Sequence, residues 1–291
     1  MTLEDAFKII SFNCIAQVEL NAAILTKTYD AEALHQMRVG FRRFNSLLKI
    51  CDDILQFPET LKLELEWVSQ LLGETRDWDT LINSTLPMVN KKLPGLAAYP
   101  KVNLIAHRET EKKHRQLTAI IKSQRYTKFI QNLKKYLLVS GWRESMPSID
   151  SSRLSEELNH AASFRLARQR KFLISRGKNI HAAKRKKIHR FRIAAKRLRY
   201  ASEFLQSLYP TKKVCAYIKK LAKLQDVLGL LNDAVVANRL LKEITSEDAT
   251  FQKELALIRL TLKSEAAVKH KKIDALWNDF TSSTPFWKDM D

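Results

Sequence analysis

The sequence predicts an all-α fold: two antiparallel helical bundles, built from one duplicated unit and related by a pseudo-twofold axis. Three observations carry that expectation. Gly and Pro are scarce, 6 and 7 in 291 residues, while long segments rich in Leu, Ala, Lys, Arg and Glu show little strand-like alternation. A basic helical motif occurs twice, about 150 residues apart, and each copy is followed by a second shared motif. The length is ample for one large or two ordinary domains with a sizeable core.

Taken in order, residues 3 to about 28 read as a helix with Phe7, Ile10, Cys14 and Val18 among its apolar positions. Asp30 suits an N-cap for a helix running to about Cys51. Pro58 suits the first turn of the next, which passes through Leu61, Leu65, Val68 and Leu72 until Gly73 interrupts it. A further run reaches about Met88, Pro94 and Gly95 form a loop, and one or two helices fill 101–139. The segment 141–152 reads as the linker between a first half, 1–145, and a second, 153–285. The second half begins with a helix over 153–176, stopped by Gly177, and a basic loop, 177–187, leads to a helix that ends before Pro210. Helices over 212–228, 231–244 and 246–280 complete it, the last capped by Ser246. Periodicity does not decide whether Phe286 and Trp287 dock on the core.

The repeated motif is LHQMRVGFRRFNSLL (34–48) and IHRFRIAAKRLRYASEFL (188–205). A constant shift of 154 takes His35 to His189, Arg38 to Arg192, Arg42 to Lys196 and Arg43 to Arg197. Met37, Val39 and Phe44 map onto Phe191, Ile193 and Leu198, so the apolar face repeats with the basic one. Spacings of three and four stack His189, Arg192, Lys196 and Arg199 on one stripe of a helix, and Lys49 extends the first row by two turns. Asn45 stands where the second copy has Arg199, which weakens the first stripe. Downstream, LGETRDWD (72–79) meets LGLLNDAV (228–235), aligning Asp77 with Asp233. Those two carboxylates suit structural work, either orienting an arginine or capping a helix after a glycine break.

The formal net charge is +20, and residues 161–200 hold fifteen Lys or Arg and no Asp or Glu. Such a block costs stability by self-repulsion unless an anion offsets it, so a polyanionic partner is the economical inference. Guanidinium forks suit tetrahedral oxyanions, because they donate parallel, charge-assisted hydrogen bonds. Arg76, Lys220 and Lys223 extend the basic surface near the two Leu-Gly segments. Arg165 and Arg168 lie on a mixed face, and His107 and His114 read as surface residues. Neither motif histidine has a metal ligand at i+3 or i+4, and no phosphate-binding glycine loop, nucleophile elbow or zinc set occurs. We therefore expect no metal, no cofactor and no catalytic residue. Cys14, Cys51 and Cys215 read as small core residues in a reducing compartment. The acidic pair Glu4 and Asp5 is unlike a signal peptide, and no apolar run reads as membrane-spanning. The expected location is the cytoplasm.

With both motifs in view, HQMRVGFRRF and HRFRIAAKRLRYASEFL, each followed by Leu-Gly…Asp, the chain resembles the conserved histidine α-helical domain, or CHAD, family. The resemblance covers nearly the whole chain, 1–291, as a single CHAD domain. It implies a pseudo-symmetric helical fold with a basic central cavity or groove, non-catalytic binding of inorganic polyphosphate, and a candidate address at polyphosphate granules. The family's basic positions fall on His35, Arg38, Arg42, Arg43, His189, Arg192, Lys196 and Arg197. Other polyanions are less favoured partners. Nucleic-acid binding by the same patch is the alternative, against which the stripes lack interleaved aromatics for stacking.

Overall fold

The computed structural model describes residues 1–145, 152–180, 183–244 and 247–288, and among them every long element is helical. The first half comprises α1 (Leu3–Leu25), α2 (Ala31–Ile50), α3 (Glu59–Thr80), α4 (Leu86–Lys92), α5 (Ala98–Ile121) and α6 (Gln124–Leu138). The second comprises α7 (Leu158–Gly177), α8 (Arg185–Phe204), α9 (Thr211–Glu243), α10 (Ala249–His270) and α11 (Ile273–Thr281).

Capping follows local chemistry. Thr2 and Asp5 form a reciprocal capping box at α1, and Asp30 accepts from the Ala33 amide at 2.7 Å to start α2. The α1–α2 hairpin is tight because Gly40 faces α1: a Cβ there would stand 2.8 Å from Val18 Cγ2 and 3.0 Å from the Cys14 carbonyl oxygen.

Several boundaries differ from expectation. Gly73 and Gly229 do not break their helices; α3 and α9 run through them, since packing on both flanks offsets a glycine cost of about 1 kcal/mol. Neither Asp77, in the last turn of α3, nor Asp233, inside α9, is therefore an N-cap. The real irregularity is a π-helical turn, Leu81–Thr85, between α3 and α4. Pro87 follows it, and a proline that cannot donate to the fourth residue before it disrupts the regular ladder there. The single helix expected over 246–280 is two, α10 and α11; Asp248 caps the first, and Ser246 lies outside the described residues.

α1 also corrects a sequence expectation, being a 23-residue helix long and apolar enough by composition to cross a membrane. Here it buries Phe7, Cys14, Ile15 and Val18 against its neighbours and leaves Ile9, Leu20 and Ile24 exposed. Cys14 and Cys51 are buried as expected, whereas Cys215 is exposed on α9.

Two apolar clusters hold the elements together, and each draws on both sequence halves. The larger joins α1, α2 and α6 to α7, α8 and the first part of α9; Phe286 and Trp287 dock on it beside Tyr217. The smaller joins Trp78, Leu81 and Val102 to Leu240, Phe251 and Ile258. The α2–α3 loop adds a polar seam. Asp53 pairs with the buried Arg165 and, at 2.9 and 3.0 Å, with Arg153 and Arg168, while Arg168 also meets Asp52 at 2.9 Å. Part of the basic block is thus neutralised by acids of the first half.

Candidate functional site

The two motif helices, α2 and α8, pack against each other. Each buries its apolar stripe, Leu34, Met37, Phe41 and Phe44 on α2, and Phe191, Ala195 and Leu198 on α8. The expected apolar match at Ile193 does not hold, because that side chain is exposed. Burial of those stripes leaves the basic rows at the junction. The Arg42 guanidinium lies 5.7 Å from the centre of the Tyr200 ring, a cation–π contact across the two halves. Arg43 crosses one turn further on, 5.2 Å from the Phe204 ring and 3.8 Å from the Glu203 carboxylate.

Electrostatic coupling shows which cations share this space. Burial first, and then Arg42, Arg192, Arg38 and Arg199, push the Lys196 amine from 10.5 down to about 6. Arg38 is lowered by burial and by Arg42, with Arg192 and Arg76 contributing and Asp77 opposing. Arg192 is likewise lowered by burial, which Asp233 opposes, and by Arg42. Both histidines sit below the ordinary imidazole range: His35 through burial and then Arg76, His189 through burial and then Arg192 and Lys196. Without an anion, these imidazoles and the Lys196 amine favour their neutral forms near neutral pH.

The rows differ in how their members are partnered. Among the described residues, Arg38, Arg42, Arg192 and Lys196 make no ion pair within 4 Å, and the Nε atoms of Arg42 and Arg192 are buried without a hydrogen-bond acceptor. The flanking cations are neutralised. Arg199 Nε lies 3.1 Å from Glu203, Arg76 is 3.9 Å from Asp79, and Lys220 bonds Asp279 at 2.8 Å. A buried arginine nitrogen without an acceptor is costly, and Arg199 Nε shares that lack with Arg42 and Arg192. What sets the inner four apart as the centre of the basic cluster is that none has an ion pair within 4 Å among the described residues.

Other predicted residues lie apart from that centre. Arg197 stacks 5.1 Å from the Phe172 ring and is drawn toward Asp52, so adjacency on α8 sends it around the helix from Lys196. Lys220 reaches α11 instead, and Lys49 and Lys223 stand exposed.

The carboxylates brace the arginines from behind. Asp77 accepts from Arg239 at 3.1 Å, joining α3 to α9, and burial raises its carboxyl pKa against the pull of Arg38 and Arg239. Asp79 is fully buried, accepts from the Tyr29 hydroxyl, and meets His114 Nε2 at 2.8 Å. The Tyr29 and His114 rings stack 3.3 Å apart. His114 is therefore a structural partner of Asp79 rather than a surface residue, and this trio holds the carboxylate beside Arg76. Glu203, Tyr200, Arg239 and Asp79 are contributors that motif reading missed. Only Glu203 had a usable signal, its i+4 spacing from Arg199.

These features define an all-helical protein whose two packed basic helices gather unpaired cations. It belongs to the CHAD family: the family model for the CHAD domain matches residues 10–242. A crystal structure of the CHAD domain from the plant Ricinus communis is similar with a TM-score of 0.85 at 30% sequence identity, over 98% of this chain and 93% of that one. PptA from Streptomyces chartreusis shares the fold at a TM-score of 0.68 and 14% identity, over 96% of this chain and all of the other. No curated protein is significantly similar in sequence.

Proposed function

We propose that the protein binds inorganic polyphosphate, without turnover, along the junction of α2 and α8. The observation that carries this reading is the group Arg38, Arg42, Arg192 and Lys196: four crowded basic side chains, two from each half, each disfavouring its neighbours' charged forms and none with an ion pair within 4 Å among the described residues. A linear anion with one charge per repeat relieves that repulsion along its length, and arginines bind its oxygens by charge-assisted hydrogen bonds. His35 and His189 lie on the same rows and donate from both nitrogens once an anion favours their charged form. Membership of the CHAD family supports the same ligand. The expected cytoplasmic location belongs to this proposal.

Titration of the protein with long-chain polyphosphate at several salt concentrations tests it. By analogy with single-stranded nucleic acid, each phosphate contacted contributes about 0.7 to the log–log salt slope. A steep slope with no release of orthophosphate in the presence of magnesium is expected. Salt-independent binding, or phosphate release, overturns the reading.

A further inference from the structure

Between α8, α9 and α10 lies an open cavity of about 900 Å³. Its walls differ in character. α8 supplies Arg185, His189 and Arg192, while α9 supplies Leu228, Leu231 and Val235, and Ala266 and Ala267 of α10 face them. An inorganic phosphate chain has no apolar part and gains nothing from the second wall. A ligand with a charged head and a hydrocarbon body gains from both. The volume falls in the range of roughly 300–1,000 Å³ typical of small-molecule sites.

The charged end has a second attraction for an anion. α8 begins at Arg185, and no side chain caps its first turn. Its leading amides carry the positive end of the helix dipole, and residues 185 and 186 of that turn line the cavity.

We propose that this cavity is a second ligand site, for a single amphiphilic phosphate monoester. Arg185, His189 and Arg192 and the start of α8 hold its head, and the leucine and alanine wall takes its tail. The recess is concave and limited in volume, so it fits one soluble molecule rather than a lipid bilayer. The inference goes beyond polyphosphate binding and shares with it only His189 and Arg192.

Octyl phosphate is the probe, measured by calorimetry on the full chain beside inorganic phosphate, octanol and phosphatidic acid vesicles. We expect octyl phosphate to bind at least tenfold more tightly than inorganic phosphate or octanol. Ala267→Trp, at an exposed position on the rim, fills the recess and lowers that affinity tenfold or more; Val235→Asn lowers it severalfold. Both variants keep polyphosphate affinity within twofold, whereas Arg192→Ala weakens both ligands. Equal binding of octyl phosphate and inorganic phosphate, indifference to both wall variants, or binding of vesicles alone overturns the proposal. Octyl phosphate binding in a protein that ignores polyphosphate sinks the earlier reading and leaves this one standing; the converse result does the reverse.

Discussion

Arg43 of the first half stands 3.8 Å from Glu203 of the second, and the same carboxylate lies 3.1 Å from Arg199. One acid thus neutralises the outer cations of both rows, whereas the inner four have no ion pair within 4 Å among the described residues. Glu203→Gln removes a negative charge from the edge of the proposed binding lane. Polyphosphate affinity is expected to rise about fivefold, the worth of roughly 1 kcal/mol for a charge in such a setting. The fold loses less than about 1 kcal/mol, because partly exposed pairs contribute little. Calorimetric titration checks the affinity, and a fall would contradict the placement of this residue.

Arg38 and Arg192 come from opposite halves, and the proposed polyphosphate site draws on both. A charge-assisted hydrogen bond is worth about 1.5–3 kcal/mol, so Arg38→Ala with Arg192→Ala is expected to weaken polyphosphate binding a hundredfold or more. Far-ultraviolet circular dichroism should remain unchanged. Loss of helicity in the double variant would make these arginines structural.

The proposed binding is expected to be linked to protons. Burial and neighbouring arginines hold the Lys196 amine near 6 in the free protein, and a bound anion raises it. Polyphosphate binding at pH 7.5 is expected to take up protons, read as a buffer-dependent enthalpy, and affinity should climb as pH falls toward 6. His35 and His189, also below their ordinary range, extend the gain at lower pH. Stability of the free protein carries the opposite sign. The unfolded chain holds more protons between about 6 and 10.5, so this lysine's contribution to stability increases with pH across that window. Lys196→Met should flatten both dependences, and unchanged proton uptake in that variant would exclude the residue.

Arg165 works away from the lane. It is 2% exposed and bonded to Asp53 and to the Ile50 carbonyl oxygen, pinning α7 to the end of α2. Arg165→Ala leaves Asp53 with Arg153 and Arg168 only and is expected to cost about 1.5–3 kcal/mol in urea denaturation, the worth of a lost hydrogen bond to a charged group. Polyphosphate affinity of the folded variant stays as in the wild type.

Much of this was legible in the chain. Helical periodicity and the paired motifs located α2 and α8, and the three-and-four spacing put Arg38 and Arg42 on one stripe of the first helix and Arg192 and Lys196 on one stripe of the second. Where reading failed, the reason was tertiary. Gly73 and Gly229 look like breaks, but packed helices carry them. Adjacent cations such as Lys196 and Arg197 look equivalent in sequence, yet the turn of the helix sends one to the lane and the other to Phe172. Tyr29, Asp79 and His114 are distant in sequence and meet only in the fold, so no local spacing announces them. The neutralisation of Arg165 and Arg168 depends on acids more than a hundred positions away.

Competition between polyphosphate and single-stranded DNA of matched charge tests the central claim most directly. Bases add nothing to a lane without exposed stacking rings, so excess polyphosphate is expected to displace the DNA completely. DNA that persists under excess polyphosphate, or binds more tightly than it, would contradict the account.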